Sequence, residues 1–147
     1  MTITLNLDPA ISLLTDIEWI SNILAIGVAL TLGVVWYHSR VFGKTWRRLA
    51  NLELQDVSLK QRAKTAIIWQ TPMLFFLAAD MTAFLKHLQW SGAIKWLILG
   101  YNFGIFVALF IAIHYLYDMR PAKLYFITAG YSLLALSAMG AVIGMML

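Results

Sequence analysis

The sequence predicts an all-α membrane protein, an antiparallel bundle of four transmembrane helices with both termini outside. Three observations lead there. Of 147 residues, 61% are hydrophobic and only 12% charged, with a mean hydropathy of +0.77, whereas a soluble domain keeps about a quarter of its residues charged. The apolar residues gather in four runs that approach or exceed the roughly 18–20 residues needed to cross a bilayer. Nine of the eleven Lys and Arg residues fall on one side of the threading those runs imply, and basic loops stay cytoplasmic.

Taken in order, the N-terminal segment LDPAISLLTDIEW reads as a short interfacial helix, with Asp8 as N-cap and Pro9 at its first position. Residues 1–18 hold no Lys or Arg, so the basic start of a secretory signal is missing and the N-terminus is expected to be retained. The first span, about 19–37, carries no charge. A basic loop follows with Arg40, Lys44, Arg47, Arg48, Lys60, Arg62 and Lys64. It is long enough for one surface helix, and Ser58 is placed to cap an extension of the next span.

The second span, about 65–87, contains Pro72 and Asp80; the third and fourth run over about 94–117 and 124–147. Period-2 alternation is absent, and backbone groups in lipid must be satisfied internally, so all four are helices of one transmembrane domain. Trp36, Tyr37, Tyr115, Tyr117 and Tyr125 mark the inner interface; Trp19, Trp90 and Trp96 mark the outer one.

Small residues recur at helical spacing on three spans. Ala25, Ala29 and Gly33 form one row, Gly100, Gly104, Ala108 and Ala112 a second, and Ser137, Gly140, Ala141 and Gly144 a third. Such rows let helix backbones approach closely where lipid offers no hydrophobic drive. Asn102 lies about 200° around the helix from Gly100. With the row packed inside, its amide needs a second protein neighbour, and homo-oligomerisation is the expectation.

Asp80 sits roughly 12 Å inside the outer end of its span, level with Asn102 and below Asn22. These three, with Gln70 and Pro72 deeper on the second span, form a candidate polar pocket. One reading is an ion or solute path with Asp80 as its accepting group; the preferred one is a hydrogen-bond cluster holding helices together. Pro72 removes a backbone donor and would bend its helix.

Cysteine is absent, which excludes disulfides, thiolate catalysis and iron–sulfur ligation. His38, His87 and His114 lack ligand spacing, so no metal or cofactor is expected. No nucleophile–base arrangement or phosphate loop appears, and the chain is read as no enzyme. The basic loop has no nucleic-acid reading module beside it. Its cations are explained by topology, with attraction of anionic lipid as the second reading.

The stretch LGVVWYHSRVFGKTW (Leu32 to Trp46) resembles the hallmark of a bacterial family known as domain of unknown function 1761. Gly33, Trp36, Tyr37, Phe42, Gly43, Lys44 and Trp46 carry the likeness, as do Ala129, Gly130, Tyr131, Met139, Gly140 and Ala141 near the end. Two positions depart from the pattern: His38-Ser39 stands where members often have Ser-Pro, and Ser132 where they often have His. The resemblance implies a small four-helix protein of the bacterial inner membrane, with no activity attached. It also draws attention to an inner-rim cluster of Trp36, Tyr37, Phe42, Gly43, Trp46 and Tyr131, read as structural.

The expectation is a non-enzymatic accessory or scaffold protein acting through helix and lipid contacts. An oligomeric channel or transporter using Asp80, with Asn22 and Asn102 as polar lining, is the alternative.

Overall fold

A computed structural model describes residues 18–52, 58–88 and 92–146. Among these the protein is entirely helical: α1 (Trp19–Trp36), α2 (Gly43–Leu49), α3 (Leu59–Leu88), α4 (Ala93–Tyr117) and α5 (Ala122–Met146). All except α2 are long and apolar enough to cross a membrane. The expected N-terminal interfacial helix with Asp8 and Pro9, and the belt residue Trp90, lie outside the described residues.

Each end of these helices has a local cause. The chain leaves α1 through a turn in which Gly43 N–H donates to the His38 carbonyl at 3.0 Å. A side chain at Gly43 would collide with the Tyr37 carbonyl, so glycine alone fits there. Helix α3 begins six residues before the apolar run because Ser58 caps it: its hydroxyl accepts from Gln61 N–H at 3.2 Å. It then continues through Pro72 to Leu88.

Between α4 and α5 the chain makes a compact reversal. Met119 adopts φ 52°, and the Arg120 and Met119 N–H groups return to the Tyr115 and Leu116 carbonyls at 3.0 and 3.3 Å. This is the left-handed closure that normally favours glycine. Gly92 takes φ 101° at the start of α4.

The helices pack as antiparallel neighbours, with α5 at the centre of the contacts. It lies closest to α4, then to α1; α3 rests mainly on α1 and touches α4 and α5 only lightly. The α4–α5 seam is backbone on backbone. A Cβ at Gly100 would overlap the Leu136 carbonyl, and one at Gly140 would overlap that of Trp96. A Cβ at Gly104 would come within 2.9 Å of Leu133 Cα. Gly144 makes the last place in this series, its surface covered by the Trp96 indole.

Trp96 is therefore a core residue, 2% exposed, and not the lipid-facing belt residue read from its depth. It lies one turn before Gly100 on the same ridge, and the small residues of α5 leave the space that its ring fills.

Many large apolar residues face outward while small ones are buried. Ala25, Ala29, Ala78 and Ala108 are buried, while Phe76, Phe106, Phe110 and Ile68 face outward. Such a contiguous apolar surface is untenable in water and suited to hydrocarbon, where close packing of small residues holds helices together.

The seam gives a direct test. Gly100→Ala should destabilise the protein by about 1–3 kcal/mol, because the obstructing atoms are backbone and cannot swing aside. A methyl group at Gly27 would meet nothing within 4 Å, so Gly27→Ala should be neutral or gain roughly 0.5–1 kcal/mol of helix propensity. Unfolding by SDS titration of micelles, followed by circular dichroism, measures both. Equal effects would contradict the seam.

Candidate functional site

The end of the protein that carries the α1–α2 turn is closed by aromatic rings that this turn and α5 bring together. Trp36 and Phe42 lie with ring centroids 4.5 Å apart. Tyr37 meets Trp46 edge-on at 5.1 Å and Tyr131 at 5.4 Å. The Trp36 indole N–H donates to the Ile127 carbonyl of α5 at 3.0 Å, and a Cβ at Gly130 would stand 3.2 Å from the same ring. All six residues singled out at this rim thus share one contact network.

Tyr131 extends the rim into the helices as a polar knot. Its hydroxyl donates to the Ala29 carbonyl of α1 at 3.1 Å and accepts from Gln70 Nε2 of α3 at 2.8 Å. One proton and one lone pair are both used, and three helices are tied at one oxygen. Gly33 makes this possible: a Cβ there would stand 3.0 Å from that oxygen. Gln70 therefore belongs to the Tyr131 knot, nearly three turns from Asp80.

The remaining members of the expected polar pocket are in separate places. Asn22 is fully buried between α1 and α3, where Thr82 Oγ1 lies 2.9 Å from its Oδ1 and 2.9 Å from the Ala78 carbonyl. A threonine has one hydroxyl proton, which cannot serve both acceptors. Turning the amide over resolves this: Asn22 Nδ2 then donates to Thr82, and Thr82 donates to Ala78. With Oδ1 toward Thr82, the buried Nδ2 of Asn22 has no hydrogen-bond partner among the described residues.

Asp80 and Asn102 point outward instead. Both are exposed, and Asp80 has no hydrogen bond or ion pair among the described residues. Asn102 Nδ2 donates back to the Ile98 carbonyl of its own helix at 2.8 Å. Asp80 lies six residues from Lys86, and Asn102 seven beyond Lys95, so both sit about 9–10 Å from the end of the protein that those lysines mark. Lys86 itself pairs with Glu18 at 3.0 Å, tying the start of α1 to the end of α3. The cluster of Asn22, Asp80 and Asn102 is thus not assembled within one chain.

Thr82 was not legible as a partner of Asn22. A threonine in an apolar helix ordinarily bonds its own preceding turn, so its type alone is silent. The signal available was depth: Asn22 and Thr82 lie four residues inward from the Glu18–Lys86 pair on their respective helices. Among the described residues no three His, Asp or Glu side chains approach metal-holding geometry. His38 Nδ1 accepts from Arg40 N–H at 3.3 Å, and His114 tilts against Phe110.

The knot predicts a measurable coupling. Tyr131→Phe strands the Gln70 amide and should cost about 1 kcal/mol of stability. Gln70→Met in that background should then cost clearly less than Gln70→Met alone. Strict additivity of the two substitutions in micelle unfolding would show that they do not share a bond.

The same helices carry a family relationship. The chain matches the family described as "Protein of unknown function (DUF1761)" over residues 20–144. No curated protein and no solved structure matches it. The family match runs from the first turn of α1 to the last turn of α5 and takes in every helix described above; the chain belongs to the DUF1761 family.

Proposed function

We propose that this chain is a small non-enzymatic scaffold or accessory protein of the bacterial cytoplasmic membrane, acting through helix and lipid contacts and associating with copies of itself. The outward placement of Asp80 and Asn102 supports this reading. They flank the seam where α3 and α4 meet lightly: Asp80 is one turn before Phe84, Asn102 adjoins Phe103, and those two rings stand 6.3 Å apart. A carboxyl group and an amide oxygen facing hydrocarbon are costly. A second copy offers each a partner, carboxyl to amide, across the outer faces of α3 and α4.

The same reading sets the threading. Nine basic residues against two put α2 and the α4–α5 turn in the cytoplasm and both termini outside. Met119 is exposed at that turn and the chain has no cysteine. A Met119→Cys variant should therefore react with an impermeant maleimide only after the cells are opened.

Self-association is tested by photobleaching steps of singly labelled protein in liposomes at dilute protein-to-lipid ratios. Wild type should give multi-step traces, and Asp80→Leu combined with Asn102→Leu should weaken association roughly tenfold, the scale of interhelical hydrogen bonds in lipid. An unchanged step distribution in the double variant would defeat the proposal. Ion or solute passage between copies is the second reading, and Asp80 is the group it requires. Flux into proteoliposomes that is lost in Asp80→Asn, with assembly intact, would favour passage over scaffolding.

A further inference from the structure

Helix α2 has two unlike sides. Gly43 and Trp46 turn toward the protein: Gly43 is buried against the Tyr37–His38 backbone, and the Trp46 ring lies on Tyr37. Lys44, Arg47 and Arg48 recur at i, i+3 and i+4 on the other side. Together with Thr45 they line an open depression of about 430 Å³. Lys44 and Arg48 are exposed, and Thr45 and Arg47 are half-buried in its wall.

Three cations share this wall, and none has a counter-ion among the described residues; the ion pairs found there are Lys86–Glu18 and Arg120–Asp118. Positive-inside topology calls for basic residues in this connection, but it does not call for their convergence on one concavity. Nor does it call for two arginines and a hydroxyl, the groups that suit a phosphate: guanidinium forks bond oxyanions in pairs, and threonine adds a single donor.

Position selects the source of that phosphate. Six residues separate the end of α1 from the start of α2, and Tyr37 and Trp46 hold α2 against the aromatic rim. The depression therefore lies at the bilayer surface, beside lipid headgroups. We propose that the depression formed by Lys44, Thr45, Arg47 and Arg48 on α2 binds the phosphate headgroup of an anionic phospholipid. The proposal rests on α2 lying at the membrane surface and not on self-association, so either can fail alone.

The test uses the full-length chain in nanodiscs containing equal amounts of phosphatidylglycerol and phosphatidylcholine, with native mass spectrometry reading the lipid retained on release. Wild type should retain phosphatidylglycerol in preference by about fivefold or more, the scale of one basic group at a charged surface. Arg47→Gln with Arg48→Gln should abolish the preference. The charge-conserving Arg47→Lys with Arg48→Lys leaves topology unaltered and should lower it severalfold through loss of paired bonding.

Lys123→Gln removes an exposed cation at the same end of the protein, outside the depression, and should change nothing. No preference in wild type, or a preference that survives the glutamine pair, would overturn the site. An equal loss on Lys123→Gln would also overturn it, showing diffuse surface attraction. Millimolar inorganic phosphate should compete weakly; stoichiometric phosphate binding without lipid retention would overturn the lipid assignment in favour of a free anion.

Discussion

The contact of α4 with α5 is the constraint from which the rest of the arrangement follows. Gly100 and Gly104 on one helix and Gly140 and Gly144 on the other remove every Cβ that would hold the two backbones apart. In hydrocarbon there is no gain from merely hiding apolar side chains, so close approach over a long seam is what favours association. Trp96 lies at the end of that seam, where Gly144 leaves room for its ring. With α5 fixed against α4, its other side is left to receive α1, and α3 is carried on α1 in turn.

The second layer of the architecture is polar and sparse. One phenol, Tyr131, ties α1, α3 and α5 toward the α1–α2 turn. One amide–hydroxyl pair, Asn22 and Thr82, ties α1 to α3 at the opposite end, one turn from the Glu18–Lys86 ion pair. These bonds give α3 its register on α1, which alanine-rich packing alone would leave free to slide. The light seam between α3 and α4 has no such bond among the described residues, and it is there that Asp80 and Asn102 look outward. The proposed self-association and the proposed lipid site occupy different ends of the protein, so a substitution at one leaves the other intact.

Much of the fold was legible because the bilayer restricts what an apolar run of 18 or more residues can do. The four long helices, the small-residue rows and the Ser58 cap each followed from local rules. The meaning of individual polar residues did not. Helix membership groups Gln70 with Asp80, yet its partner is a phenol on α5, a contact fixed only by the packing of three helices. Depth alone points Trp96 to the belt, although its place on the Gly100 ridge carries the opposite signal. Trp36 donates to the Ile127 carbonyl, and no residue type could announce a backbone partner.

The absence of cysteine allows the central claim, that copies meet along the outer faces of α3 and α4, to be measured without background. A single spin label at Phe106→Cys, on the outward face of α4 one turn from Asn102, reports only distances between copies. In liposomes, pulsed electron–electron resonance should give a narrow distribution shorter than that from a label at Ile23→Cys on the outward face of α1. A broad background-like signal at Phe106, or a shorter distance at Ile23, would contradict that claim.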